Sequence, residues 1–268
     1  ETNITSHAGD ISVTSRIEDI TITSSGVLTA GEKVSLHALT AGDIKINNDI
    51  TGKDIEIKTE NGDIVTDAVS TLTATTEGGT ITVGVIKGDI TLRGVARADQ
   101  KVEVEAATGS VAMSNAVESE NGEVAVTMKK DITSSAAINA GTNVTLSSTN
   151  GDITSSGAVT AGQNVEVETA EGNVILNGTV SAANGEVDVT AKGPVTTNAA
   201  IQAGIDVTLF SKNDAVSVKD TVTAMSGNVN VTVQGAVETY KEIYGGTDVT
   251  LWSKNANVLA KETVTADT

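Results

Sequence analysis

The chain has 268 residues, a net charge of −18, no Cys, one Pro, and only one Phe, two Tyr and one Trp. That charge leaves no basic footprint to neutralise phosphates, which argues against nucleic acid as a partner, and no apolar run reaches the length of a membrane-spanning helix, so no membrane insertion is expected. Without Cys there is no disulfide framework or thiolate metal cluster, and so few large side chains can fill only a narrow interior of Val, Ile, Leu, Ala and Thr.

The opening residues, "ETNITSHAGD", have neither the basic region nor the apolar core of a signal peptide and no initiator Met. They read as a processed start or as an internal piece of a longer protein. They enter in mid-circuit: Ala8-Gly9 precedes Ile11 and Val13 as Ala30-Gly31 precedes Val34 and Leu36.

From there a phrase of the type Gly-Asp-Ile recurs. Its apolar member falls at Ile44, Ile64, Ile90, Val111, Ile132, Ile153, Val174, Val195, Val216, Val237 and Val258, and the spacing is 21 from Ile90 onward. A second column follows six places later (Val117, Ile138, Val159, Val180, Ile201, Val222, Ile243, Val264). A period-2 pair comes next, such as Val144/Leu146 and Val165/Val167. In the coils of Val111, Val174 and Val216 this pair slides by one place. From Ile153 on the two coil types alternate, so the full pattern returns every second coil.

Alternation of apolar and polar residues marks strands with one buried face. The segments are short, β-branched and bounded by Gly, Asn, Asp and Ser, and helical periodicity is absent. One such repeat cannot bury its apolar face alone, but a stack of them can. The expected fold is all-β, a right-handed parallel β-helix (solenoid) of about 21 residues per coil and roughly 11–12 coils. At strand spacing that is a rod of roughly 50–60 Å. It is read as one segment over 1–268. The six-residue beat of a left-handed hexapeptide helix is missing.

The 26-residue interval between Ile64 and Ile90 is assigned to an insertion loop at 69–79, "VSTLTATTEGG", bulging from one face. Corner Asp residues (Asp10, Asp43, Asp63, Asp89, Asp131, Asp152) could hold calcium weakly, although turn chemistry is the plainer reading. A second polar column (Asn143, Asn164, Asp206, Asp248) is expected to bond backbone. His7 and His37 lie near no nucleophile motif and read as surface residues. One outward column runs Thr145, Glu166, Thr208, Thr250, which is no regular Thr ladder, so ice binding is not expected.

All aromatics fall in the final third. "LFSKND" and "LWSKNA" lie two coils apart, so Phe210 and Trp252 share an outward column. With Tyr240 and Tyr244 they form the candidate interaction surface, for a glycan or a surface receptor. No catalytic, cofactor or metal residues are assigned. The chain stops at "TVTADT", where the next period-2 pair would begin, so its ends are expected to meet adjoining coils of the same chain or other copies of itself.

The phrases "GDIT", "TAGQNVEVETAEGNV" and "NAGTNVTLSSTNGDI" resemble haemagglutinin-type repeats of filamentous-haemagglutinin-like exoproteins, the very large bacterial surface adhesins exported by two-partner secretion. The likeness covers nearly the whole chain. It implies a right-handed parallel β-helix, secretion, a cell-surface location and service as a rigid stalk. The expected function is therefore a non-catalytic structural shaft of an extracellular, adhesin-like protein. The alternative is a subunit of an extracellular filament or sheath, joined end to end through open β-helix edges.

Overall fold

The computed structural model describes residues 3–267. All regular structure among them is β, and every ladder is parallel. The chain divides into two compact units that meet at Gly141 and Thr142 in sequence. Each unit is a parallel β-helix whose coils contribute one strand to each of three sheets. The circuits number about thirteen in all, against the eleven or twelve expected. The difference arises at the start: Ile20, preceded by Glu18-Asp19 instead of Gly-Asp, opens a column that Ile44 continues.

In the first unit, Ile4, Leu28, Ile50, Leu72, Ala96, Val117 and Ile138 stack in the first sheet. The second sheet stacks Ile11, Val34, Ile55, Ile81, Val102 and Val124. The mid-circuit entry is seen directly, since Ile11 pairs with Val34 and Val13 with Leu36. The third sheet carries the Gly-Asp-Ile column from Ile20 to Ile132. The second unit repeats the arrangement, with Val159 to Val264, Val144 to Val249 and Ile153 to Val258 as the three columns.

The interior is thin and aliphatic. Val34, Leu36, Ile57, Val104, Val167, Leu209 and Val231 are fully buried, and no aromatic side chain enters the core. Each buried Val, Ile or Leu contributes about 1.5–3 kcal/mol before the entropy of ordering is subtracted.

The two-coil beat has a simple geometric cause. In the second unit, the first and third sheets keep a constant step from coil to coil, as in Val180 with Ile201 and Val195 with Val216. The second sheet instead pairs Val165 with Val187, Val187 with Val207, Val207 with Val229 and Val229 with Val249. The corner before that sheet is thus longer by one residue in alternate coils, and the corner after it shorter by one. The longer second corner carries a buried hydroxyl. Thr169 Oγ1 donates to Gly151 O (2.6 Å) and accepts from Gly172 N (3.0 Å). Ser211 Oγ donates to Gly193 O (2.7 Å) and accepts from Asp214 N (3.1 Å). Ala191 and Val233 take that place in the shorter corner and are simply buried.

The Gly-Asp corner also resolves. Gly42 has φ +124°, a conformation open mainly to Gly. At Gly172 the reason is close approach instead, because a Cβ there would collide with the carbonyl of Gly151 in the preceding coil. The corner Asp serves the next coil. Asp19 Oδ1 accepts from Asp43 N (2.9 Å), Asp43 from Asp63 N (3.0 Å), Asp63 from Asp89 N (2.8 Å) and Asp89 from Ser110 N (2.8 Å). Asn164 likewise accepts from Glu186 N (3.0 Å), and Asp206 from Asn228 N (2.5 Å). Both polar columns therefore bond the backbone of the coil that follows.

The segment 69–79 is not a bulge throughout. Thr71–Ala74 is a strand with Leu72 and Ala74 in the core, paired to Ile50–Thr51 on one side and Val95–Ala98 on the other. Leu72 pairs with Ile50 and Ile81 with Ile55, so a step of five between those columns becomes a step of nine. The additional length sits in the corners on either side of the strand. Asp99 staples the second corner through Gly78 N (2.7 Å), Asn121 Nδ2 (2.5 Å) and Gln100 Nε2 (3.1 Å). These donors, Asn121 foremost, hold its carboxyl below the usual range.

Candidate functional site

The four aromatics do not form one surface. Phe210 pairs with Thr232, and Thr232 with Trp252, so the two rings share an outward column of the second sheet, two coils apart. Tyr244 lies in the strand Ile243–Gly245 of the first sheet, where its hydroxyl donates to Asp267 Oδ2 (2.7 Å). That acceptor holds the Tyr244 phenol above its ordinary pKa. Tyr240 sits in the turn after Val237–Thr239. It donates to Glu238 Oε2 (2.7 Å), and Lys261 Nζ stands 3.6 Å from its ring centroid, a cation–π contact. The corners separate Tyr240 and Tyr244 from Phe210 and Trp252, because each one sends the chain to a different sheet.

A charged cluster on the second sheet of the first unit has no signature in the sequence. Strands Lys33–Ala38 and Asp54–Asn61 lie side by side in register. Their outward side chains converge on the Glu56 carboxylate: Lys33 Nζ binds Oε2, His37 Nε2 lies 3.3 Å from Oε2, and Lys58 Nζ is 2.7 Å from Oε1. Hydrogen bonds from Lys33 and then Lys58 pull Glu56 down to about 2, and Lys58 is raised in return, chiefly by Glu56. Two coils on, Lys101 bridges Glu103 and Glu123, each at 3.0 Å, and is raised by both.

Ser35, His37 and Glu56 are the residue types of an acyl-transfer triad, but their geometry is different. Ser35 Oγ (3.2 Å) and Glu56 Oε2 (3.3 Å) both approach the same His37 nitrogen, Nε2. A relay needs the acid on one ring nitrogen and the nucleophile on the other. The cluster reads as ion pairing across coils, where lysines from two strands share one acid.

Beside it lies a groove of about 470 Å³. Its floor is Gly84, the one outward position in the column His37, Lys58, Gly84, Glu105 without a side chain. Leu39 and Ile86, 43% and 52% exposed, form its apolar walls. The signal available in the sequence is Gly84 itself, a glycine inside an alternating strand.

His7 is exposed, as expected of a surface residue. Among the described residues no three His, Asp or Glu side chains gather as a metal ligand set. A threonine column does occur outside the column followed in the sequence: Thr5, Thr29, Thr51 and Thr73 stack on the first sheet of the first unit. It is single file, since the outward positions two residues earlier hold Asn3, Val27, Asp49 and Thr71.

No family model, curated protein or solved structure matches this chain.

Proposed function

We propose that this chain is a segment of a non-catalytic structural shaft in an extracellular or cell-surface, adhesin-like protein. The observation that carries the reading is the repetition of one three-strand coil plan within each unit. Coil after coil, the same three strands pair in register, and the corner Asp and Asn side chains add a second set of bonds along the stack axis. Such a build transmits load through backbone hydrogen bonds and needs little core volume. The acidic surface favours solubility and discourages unspecific association. Electron microscopy of the pure protein tests it: discrete particles, not fibres, are expected. Release of product from acidic polysaccharides in the presence of calcium would contradict the non-catalytic part.

A second reading, end-to-end assembly into a filament or sheath, draws on the last described coil. Strands Val258–Ala260 and Val264–Ala266 have a ladder partner on one side among the described residues, and Val258 and Val264 are 44% and 39% exposed. In this reading a coil of another copy pairs with these strands, where an adjoining coil of the same chain would do so in the first. Long unbranched fibres growing from pure protein would favour this reading over the first.

A further inference from the structure

We propose that the outer face of Val207–Ser211, Val229–Val233 and Val249–Ser253 is a binding platform for an extended, uncharged, β-linked hexose polymer, with Phe210 and Trp252 stacking on every second sugar.

Three observations point there. The rings share one column with only Thr232 between them. Two coil steps separate them by about 9.6 Å, close to the roughly 10 Å over which an extended β-1,4-linked hexose chain presents the same face again. Thr232 is short and leaves the intervening sugar unobstructed. Trp252 is 47% exposed and Phe210 partly exposed, so both side chains reach solvent on this face.

The neighbouring outward column, two residues earlier in the same strands, is Thr208, Asn230 and Thr250. It offers hydroxyl and amide groups at every coil, the complement of a row of sugar hydroxyls. Aromatic rings for the sugar faces and a parallel polar row for their edges are the two components of a glycan site. The net charge of −18 disfavours polyuronates, and neither outward column carries a charged side chain to pair with a cationic polymer, so an uncharged polymer fits best. An α-linked glucan coils and does not return the same face at this interval.

This platform is independent of the shaft and filament proposals, because it concerns one face and not assembly. Trp252 is the only Trp in the chain, so its fluorescence reports this site alone. The full chain is titrated with cellohexaose, chitohexaose and mannohexaose, with maltohexaose and polygalacturonate as comparisons. A saturable emission change with at least one β-linked hexaose is expected, with a dissociation constant on the order of 1 mM or below. Phe210→Ala should weaken it about threefold to tenfold. The pair Phe210→Thr with Thr232→Phe keeps two rings but halves their spacing, and should bind no better than Phe210→Thr alone. Circular dichroism confirms that each variant keeps its fold. Three results would overturn the proposal: no saturable change with any β-linked hexaose, an equal response to maltohexaose or polygalacturonate, or full binding by the respaced pair.

Discussion

Asn173 and Pro194 stand at the same corner of successive coils, and the hydrogen bond that links earlier members of the corner column stops between them. Asn173 N donates to Asp152 Oδ1 (2.8 Å). Pro194 has no N–H to give to Asn173, although the register through Val174 and Val195 is unbroken. Corner side chains should therefore differ in worth. Asp89→Ala, which removes the acceptor for Ser110 N, should cost about 1 kcal/mol, and Asn173→Ala less than half of that. Urea unfolding of the two variants measures the difference.

Thr197 and Thr239 are fully buried in the third sheet, and neither hydroxyl has a hydrogen-bond partner among the described residues. Each carries a desolvation cost that a methyl group of the same shape would not. Thr197→Val and Thr239→Val should each raise stability by about 1 kcal/mol. The two sites lie two coils apart in one column, so the double variant should come close to additivity in the same unfolding assay.

Glycine substitutions should separate two causes. Gly172→Ala forces a methyl group against the backbone of Gly151 and Asp152, and should cost about 1–3 kcal/mol. Gly78 has φ +81° with open space around it. Gly78→Ala should cost only the left-handed strain, about 1 kcal/mol. Thermal unfolding ranks them.

Much of this architecture is legible in the residues. The three columns, their constant step from Ile90 onward and the sliding pair follow from alternation and spacing, because a buried face repeats every second residue and the later coils repeat at fixed length. The corner Asp is readable as turn chemistry, though not that its acceptor serves the next coil. The strand Thr71–Ala74 is hidden because Leu72 and Ala74 are set among threonines, a composition that also suits a polar loop. The Glu56 cluster is hidden for another reason. Lys33 and Glu56 lie a whole coil apart in a region where coil length varies, so only the register brings them together. Nearness in sequence over-groups the aromatics, since the corners carry Tyr240 and Tyr244 onto other faces.

Glu56 gives the first unit an acid-sensitive contact. Its folded pKa is depressed from 4.5 to about 2 by Lys33 and Lys58. The stabilisation is therefore present above about 4.5 and is lost as pH falls toward 2. Glu56→Gln should remove that part of the acid dependence and cost on the order of 1 kcal/mol at neutral pH, since both lysines are partly exposed. Stability measured against pH for the two proteins checks the sign.

The fold, its corners and its outward columns all depend on successive repeats lying on one another as parallel strands. In the second unit, Glu166, Asp188, Thr208, Asn230 and Thr250 form one outward column. Spin labels placed in pairs at 166 and 208, 166 and 230, and 166 and 250 read it by electron resonance. The separation should grow by about 4.8 Å per coil, to about 19 Å across four coils. Separations that do not rise with the number of coils between the labels would rule the stack out.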